Sequence, residues 1–334
     1  MINLISNIEK INIVEWESLI SDSTTSSFFQ TKACYDFYKS LSFLEVFIFG
    51  VSEKNVLKGV IVGYIQKEKN KIKHFFTRRA IIPGGVLLAE DISEDALEKL
   101  LLYCKNELLK KAIYIECRNY TDFSKYKYVF IKSGFNYIPH FDYHIDVNCD
   151  SNTALQRIGG NRRRYIRVGL RNGVKQIHNP SLEDIRKLYA LLLDLYKTKV
   201  KTPLFPWEFF KKLYDSNIGI FIIVENNETI IGGSVCIGFN NEILYELFAC
   251  GLDLKFKKMY PSSITKWFGI EYAISNGYKI FDLMGAGKPN EPYGVRAFKC
   301  EFGGELVEHG RFLCVLHPLL FKIGNLGVYI LKKL

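Results

Sequence analysis

The sequence predicts an α/β (α+β) fold built from two copies of one unit, and three observations carry this prediction. The chain has 334 residues, which is longer than one typical domain. Residues 47–76 and 221–248 follow the same order of strand, polar turn, strand with an internal glycine, polar turn and strand. Each stretch then leads to a helix and a buried strand, at residues 101–117 and 269–285. We therefore expect a duplicated unit of roughly 150 residues, which lies within the usual domain range.

In the first half, helical and strand patterns alternate. The helix at residues 93–109 is predicted by the N-cap Ser93 and by leucines that recur at helical spacing. The other elements expected here are a helix at 31–40, strands at 44–51, 56–66, 71–77, 112–116 and 137–147, and a helix at 122–133.

The second half begins near Asp150 with a basic segment whose pattern is helical. Turns with the sequence Asn-Asn separate three strands there, which indicates hairpins. The expected elements are helices at 152–172, 181–199, 207–215 and 261–276, and strands at 219–225, 229–239, 242–251 and 279–283.

Composition narrows the class of protein. The net charge of +10 and the pI near 9.0 favour polyanionic partners such as nucleic acid, an anionic membrane or phosphorylated substrates. A lysine-rich composition without functional meaning explains the same charge. The eight cysteines are scattered without a C-x-x-C motif, which fits a reducing compartment. No secretory signal pattern and no run of about 18 apolar residues is present, so we expect a cytoplasmic protein.

A glycine-rich loop at residues 281–304 is the first candidate site. An apolar run ends in Asp282, a loop broken by Gly285 and Gly287 follows, and Lys299 comes after it. Glycines let a ligand approach the backbone, and the lysine adds a point charge. A surface loop with a solvated lysine fits the same pattern.

A run of arginines near the start of the second half is the second candidate site. Arg164, Arg167 and Arg171 are spaced so that they share one helical face. Arginine binds phosphate oxygens in a forked geometry and stacks on bases, so we predict a surface that binds nucleic-acid phosphates. A solvated face explains the run equally well, and neighbouring arginines have Asp146 and Asp150 as possible partners.

The chain resembles the FemABX family of peptidoglycan-bridge aminoacyltransferases and the wider FemAB-like acetyltransferase-domain proteins. Five segments carry the resemblance: Phe29-Gln30, residues 161–174, Asp282–Gly285, Tyr293–Lys299 and Phe302-Gly303-Gly304. It implies two tandem GNAT-like (acyl-CoA N-acyltransferase) domains. We expect domain one at residues 1–147, completed by 311–334, and domain two at 148–310, which carries the active-site loop.

The resemblance also implies roles for single residues. It places Phe298 and Lys299 at the reaction centre, and it implies that Lys39 and Lys201 contact the phosphates of a nucleotide-linked peptide. A tyrosine around residues 245–248 lines the family's cleft, which suggests Tyr245 and Phe248 as substrate-binding residues. The other two candidates for substrate binding are Tyr293 and Tyr260. No metal is expected, because the spacing of His140 and His144 is a weak indication in a strand-like stretch.

The residues at the position expected for a coenzyme A pyrophosphate site indicate a different acyl donor. Enzymes of this fold that use acyl-CoA bind its pyrophosphate with a glycine-rich turn at a helix N-terminus. The equivalent residues here, 257–263, contain no glycine, and Pro261 removes a backbone donor. We therefore expect no bound cofactor, with aminoacyl-tRNA as the donor and acyl-CoA as the alternative.

These observations together predict an aminoacyltransferase. An amine of a nucleotide- or lipid-linked cell-envelope precursor would attack the aminoacyl ester, Lys299 would stabilise the oxyanion, and Asp282 is the candidate base. One alternative is a CoA-dependent N-acyltransferase acting on a nucleotide- or lipid-linked sugar, and another is an RNA-binding protein without activity. The apolar tail at residues 319–334 either docks on domain one or contacts the inner membrane face.

Overall fold

The computed structural model describes residues 1–68 and 75–333. The chain folds into two compact units. The first consists of Met1–His140 together with Glu308–Leu334, and the second is Phe141–Val307. The chain therefore returns to the first unit after completing the second.

The first unit is built on one mixed sheet. Its strands are β1 Ile2–Ile5, β2 Leu44–Glu53, β3 Val56–Gln66, β4 Ala80–Gly84, β5 Leu87–Leu88, β6 Tyr114–Asn119, β7 Asn136–Ile138 and, from the returning chain, β15 Arg311–Val315. The order is β1-β2-β3-β4-β6-β15-β7, with β5 beside β3, and β4 and β6 run parallel. The helices are α1 Ile13–Asp22, α2 Lys32–Lys39, α3 Glu94–Leu108, α4 Lys127–Lys132 and α11 Pro318–Lys333.

The second unit repeats this plan. Its strands are β8 Phe141–Asp146, β9 Lys175–Ile177, β10 Gly219–Asn226, β11 Thr229–Phe239, β12 Ile243–Gly251, β13 Ile280–Gly287 and β14 Glu305–Glu308. The order is β14-β8-β13-β12-β11-β10-β9, with β12 and β13 parallel. The helices are α5 Ser151–Arg157, α6 Gly160–Arg171, α7 Leu182–Leu195, α8 Trp207–Asp215, α9 Pro261–Ser275 and α10 Gly294–Cys300, and a π-helical turn, Tyr196–Val200, continues α7.

Each unit has a helix packed on its sheet between the third strand of the meander and the next parallel strand. In the first unit, α3 buries Leu97, Leu100 and Leu101 against the sheet. In the second, α9 buries Ile264 and Ile270 in the same way. Burying an aliphatic side chain of this size stabilises the fold by about 1.5–3 kcal/mol. The repeated pattern of the sequence thus reflects two repeated hydrophobic cores.

The structure differs from the predicted elements where single residues break a pattern. The helix expected at 152–172 is two helices, because Gly159 is the N-cap of α6 and interrupts the run. The strand expected at 137–147 is divided by Pro139 between the two sheets. The strand expected at 71–77 falls mostly outside the described residues, and the third strand of the first meander is β4.

In the first unit, the end of the parallel pair is closed by a buried glutamine. Gln30 has no exposed surface, and its Nε2 donates to the carbonyl oxygens of Gly84, at 2.9 Å, and Thr25, at 3.0 Å. Gly84 has φ +76°, and a Cβ there would clash with Ser27 Oγ. The chain's own polar side chains therefore fill the space where β4 ends.

Candidate active site

The parallel strands β12 and β13 diverge after three residue pairs. Ile243, Leu244 and Tyr245 pair with Ile280, Phe281 and Asp282, and beyond these the two strands no longer pair with each other. On its other side, β13 continues beside β8. The backbone carbonyl groups of β13 that face the opening must therefore find other partners. We call this opening the β12–β13 fork.

The side chain of Lys299 fills the fork. It extends from α10, is 6% exposed, and donates from Nζ to the carbonyl oxygens of Leu283 at 2.6 Å, Met284 at 3.2 Å and Gly285 at 2.8 Å. An ammonium group has three donors, so these contacts use all of them. Lys299 is thus a buried cation that holds the end of β13, not a solvated surface lysine.

Asp282 also stabilises the end of β13. The amide of Met284 donates to Asp282 Oδ1 at 2.6 Å, and Met284 has a left-handed backbone with φ +59°. Such a conformation is uncommon for a residue with a side chain and persists when its surroundings fix it. The carboxylate and the ammonium group together fix this turn.

Buried charges surround the lysine. Lys266 and Glu246 form an ion pair in which both side chains are almost fully buried. The pKa of Lys299 is lowered to about 8, first by burial and then by the positive charge of Lys266, while the carboxylates of Glu246, Asp282 and Asp142 act in the opposite direction. The ammonium group therefore titrates close to neutral pH.

His144 faces Asp282 across two strands. The residues lie directly opposite in the register of β8 and β13, and His144 Nε2 is 3.5 Å from Asp282 Oδ2. Burial lowers the pKa of His144, but the hydrogen bond and charge of Asp282 outweigh this effect, so the pKa is raised. Asp282 has no exposed surface, whereas the His144 side chain is 11% exposed. The pair thus connects a buried carboxylate to the protein surface.

Arg162 joins the basic helix α6 to the helix that carries Lys299. Its guanidinium pairs with Glu301 Oε1 at 3.1 Å and donates to Ser263 Oγ at 3.3 Å. It also lies 4.6 Å from the ring centroid of Phe298. Phe298 is half-buried and is held in place by this stacking. The candidate residue Phe298 is therefore coupled to α6 through a single arginine.

Three arginines of α6 remain exposed. Arg164, Arg167 and Arg171 lie along one face of the helix, and within residues 1–68 and 75–333 no ion pair involves any of them. The neighbouring Arg157 instead pairs with Asp146 at 3.0 Å. The exposed arginine face is therefore available to an anionic partner.

Aromatic side chains cluster beside the free part of β12. Phe248 is half-buried and contacts the rings of four neighbours, which are Tyr196, Phe205, Phe209 and Phe210. Burial raises the pKa of Tyr196 to about 12, and Tyr293 adds to this effect. Tyr293 is therefore near this cluster, with 44% of its surface exposed.

Two of the predicted substrate-binding aromatics have positions that limit their contacts. Tyr245 is fully buried, so it supports the wall of the fork from inside and does not reach a surface. Tyr260 is the residue before α9, with φ +48°, and stacks on Tyr165 at a centroid distance of 4.2 Å. Tyr260 is half-buried, and its ring is already paired.

Two predicted phosphate-binding lysines lie in different units. Lys39, in the last turn of α2 in the first unit, is exposed and lies 5.9 Å from the ring centroid of Tyr35. Lys201, in the second unit, ends the π-helical turn with φ +53°, and its amide donates to the carbonyl of Tyr196 at 2.8 Å. Both ammonium groups are on the surface of their own unit.

The N-terminus of α9 is occupied by a carboxylate. Asp253 accepts from the amide of Ser262 at 3.2 Å and also contacts Ser262 Oγ. Anions prefer this end of a helix because of its free amides and its dipole. The chain thus supplies its own anion at the helix end where residues 257–263 lack glycines.

The structure adds residues that sequence reasoning missed. His144 was considered only as a weak metal ligand, and the roles of Arg162 and Asp253 were not expected. No local pattern could reveal them, because each depends on the register of β8 and β13 or on the packing of separate helices. Within the described residues, no group of three or more His, Cys, Asp or Glu side chains could hold a metal ion.

Comparisons with known proteins agree with this architecture. Residues 208–327, less than half of the chain, match the FemAB family model. The crystal structure of FemX aligns with a TM-score of 0.71 at 14% identity, covering 96% of this chain and 99% of that chain. A tandem GNAT protein from the clavulanic acid biosynthesis pathway gives 0.62 at 8% identity, covering 95% and 99% of the two chains.

A third solved structure also aligns over nearly the whole chain. L-PGS from Bacillus licheniformis gives a TM-score of 0.58 at 11% identity, covering 94% of this chain and 96% of that chain. No curated protein sequence matches. Identities this low establish the fold alone, and the predicted fold of two tandem GNAT-like domains is confirmed. Across the described residues, no helix has the length and apolar character needed to span a bilayer.

Proposed function

We propose that this FemAB-like GNAT-fold protein transfers an aminoacyl group from aminoacyl-tRNA to an amine of a cell-envelope precursor of the peptidoglycan type. The resemblance to FemAB proteins is confirmed by the family match and by the likeness to FemX. The matched residues 208–327 include the fork, Lys299 and the N-terminus of α9. The identities of the acyl donor and of the acceptor are what we propose.

The contact between Asp253 and the N-terminus of α9 carries this proposal. A pyrophosphate placed at that helix end would meet a carboxylate that already accepts from Ser262. Two negative charges next to each other at the surface of a protein repel each other. This arrangement disfavours acyl-CoA, whereas an acyl group carried on RNA needs no pyrophosphate site there.

The arginine face of α6 supports an RNA-bound donor. Arg164, Arg167 and Arg171 are exposed on the helix that Arg162 attaches to Phe298 and Glu301. Phosphates of an acceptor stem bound along α6 would therefore lie one helix away from Lys299. Contacts of this type position RNA without reading its sequence.

The transfer requires one new bond and one broken bond. The acceptor amine attacks the ester carbonyl carbon, so that a C–N bond forms and the C–O bond to the ribose breaks. The ribose oxygen leaves as a hydroxyl, and a proton is lost from the amine nitrogen. His144, held in place by Asp282, is the candidate that takes this proton from the amine nitrogen and gives it to the ribose oxygen.

Lys299 would stabilise the oxyanion of the tetrahedral intermediate. All three of its donors are occupied, so direct contact requires it to exchange one carbonyl for the oxyanion. The contact with Met284, at 3.2 Å, is the longest of the three and is the one most easily exchanged. Its buried positive charge acts on the site in either arrangement, because the surroundings have a low dielectric.

The remaining candidate residues would bind the two substrates. Tyr293 is the N-cap of α10, Phe298 lies in that helix next to Lys299, and Phe248 lies in the aromatic cluster beside β12. The stacked Tyr260 and the buried Tyr245 would act as supports for the residues that contact the substrates. Lys39 in the first unit and Lys201 in the second are separate candidates for phosphate contacts, each on the surface of its own unit.

The test is a transfer assay read by mass spectrometry. Pools of charged tRNA are incubated with the protein and with nucleotide- or lipid-linked precursors, and the expected product is a precursor heavier by one aminoacyl residue. Lys299→Met should lower the rate about 10²–10³-fold, the cost of losing one oxyanion-stabilising group. Lys288→Met, which changes an exposed lysine of the loop before α10, should stay near wild type.

Two outcomes would contradict separate parts of the proposal. If a folded Lys299→Met protein kept wild-type activity, the role of Lys299 would be lost. Failure of every charged tRNA pool, together with acylation of a nucleotide- or lipid-linked sugar by acyl-CoA, would replace the proposed reaction with the alternative.

A further inference from the structure

The described side chains of the last helix, α11, lie on two sides. On one side, the ring of the half-buried Phe321 packs against Tyr114 of β6 at a centroid distance of 5.2 Å. On its exposed side, Leu319 is 77% exposed, Ile323 54% and Leu326 59%. These three are spaced i, i+4 and i+7, so they share one helical face. Docking on the first unit therefore accounts for only part of the apolar character of α11.

Two partly exposed phenylalanines lie beside α11. Phe75 is 44% exposed and Phe76 37%, and their rings lie 5.2 Å apart. A Cβ built at Gly324 would be 3.2 Å from the carbonyl oxygen of Phe76, so the backbone at Phe76 lies directly against α11. We call the five side chains of Phe75, Phe76, Leu319, Ile323 and Leu326 the α11 patch. Exposed apolar side chains gathered in this way mark an interaction surface.

Positive charge accompanies the patch. Lys322 is exposed on α11, and the guanidinium of Arg78 lies 4.9 Å from the ring centroid of Phe75. In the sequence, residues 69–79 contain five lysines and arginines and no acidic residue, and residues 309–334 also lack acidic residues. The net charge of the whole chain is +10. A partner that offers both an apolar region and negative charge would complement this surface.

We propose that the α11 patch binds the surface of an anionic lipid bilayer. An amphipathic helix lies in the interface with its apolar face among the acyl chains, while neighbouring lysines and arginines contact anionic headgroups. Aliphatic side chains favour lipid over RNA, because RNA offers bases and phosphates and no hydrocarbon surface. This binding is independent of the proposed reaction, although it would bring the protein to a lipid-linked acceptor.

The test is cosedimentation of the full chain with vesicles, without tRNA or precursor. Vesicles of phosphatidylcholine with about one third phosphatidylglycerol should bind the wild type, and pure phosphatidylcholine vesicles should bind it at least about tenfold more weakly. Ile323→Glu combined with Leu326→Glu should weaken binding to the anionic vesicles by a factor of ten or more, because charged groups are excluded from the acyl region.

The matched control changes the same number of charges elsewhere on the first unit. Val14 and Ile131 are 74% and 52% exposed, so Val14→Glu combined with Ile131→Glu should leave vesicle binding within about twofold of wild type. Circular dichroism checks that both double variants are folded.

Several results would overturn the proposal. Among them are absence of wild-type binding, equal binding to neutral and anionic vesicles, and equal loss in the control variant. A change of oligomeric state on substitution, with vesicle binding intact, would assign the patch to contact between copies. Loss of tRNA binding with vesicle binding intact would assign it to RNA. Failure of the transfer assay would leave the vesicle result unchanged, so the two proposals fail separately.

Discussion

At the scale of single residues, the environment of Lys299 decides what the site can do. The sequence predicted a lysine beside a glycine-rich loop, but not that its ammonium group would donate to three consecutive carbonyl oxygens. That arrangement depends on how α10 folds back over β13, which is a contact between separate elements. Spacing along the chain cannot specify such a contact, so the residue was predictable and its environment was not.

The pKa of Lys299 predicts a pH dependence. The pKa lies at about 8 in the folded protein, below the ordinary value of 10.5, because the group is buried and close to Lys266. Activity that needs the cation should fall as pH rises through about 8. Stability should change in the opposite direction. Between pH 8 and 10.5 the unfolded chain keeps a proton that the folded protein has lost, so the free energy of unfolding rises.

A pH–rate profile of the wild type and of Lys299→Arg checks this prediction. Arginine stays charged throughout the accessible range, so the alkaline decline near pH 8 should disappear in that variant. Profiles with the same alkaline midpoint in both proteins would show that another group causes the decline.

The pairing of His144 with Asp282 makes a second prediction at this scale. Asp282→Asn removes the negative charge while its side-chain oxygen can still accept from the amide of Met284. The pKa of His144 should therefore fall, because the charge of Asp282 that raises it is lost while burial still lowers it. Proton NMR of the imidazole measures this shift. The control is Asp146→Asn, which changes an exposed carboxylate of β8, the strand of His144. An unchanged His144 pKa in Asp282→Asn would refute the coupling.

At the scale of elements, the positions of the helices were largely predictable. The segment at 152–172 was predicted to be helical, and Gly159 divides it into α5 and α6. The glycine pair was visible in the sequence, but a glycine inside a helical pattern is often tolerated. The break sets the start of α6, from which Arg162 reaches Phe298 and Glu301.

The exposed face of α6 predicts a salt-dependent affinity for tRNA. Changing Arg164, Arg167 and Arg171 together to alanine should weaken binding across all tRNA species and lower the slope of log affinity against log salt by about one per lost phosphate contact. Filter binding at several salt concentrations measures this slope. The control removes three exposed lysines of the first unit, Lys99, Lys110 and Lys132, and should leave the slope nearly unchanged. Equal losses in both variants would indicate that only net charge matters.

At the scale of the whole molecule, the duplication was readable from the sequence because both units repeat one hydrophobic pattern. The hydrophobic pattern of the sequence could not show which side chain occupies the end of each parallel strand pair. Gln30 closes it in the first unit and Lys299 fills the fork in the second, and the two residues share neither type nor position in their units. In each unit, the side chain donates hydrogen bonds to backbone carbonyl groups that would otherwise lack a donor.

These features together define the central claim, which is that the acyl donor is carried on RNA. In the second unit, Asp253 occupies the N-terminus of α9, where the pyrophosphate of an acyl-CoA would bind, and Lys299 fills the fork. The exposed arginines of α6 offer the alternative anion-binding surface.

Titration of one preparation with two donors tests this claim most directly. Isothermal calorimetry would compare acetyl-CoA with a tRNA that carries its amino acid through a non-hydrolysable amide. The account predicts saturable binding of the aminoacyl-tRNA analogue and no measurable heat from acetyl-CoA. Saturable binding of acetyl-CoA together with no binding of the analogue would contradict it.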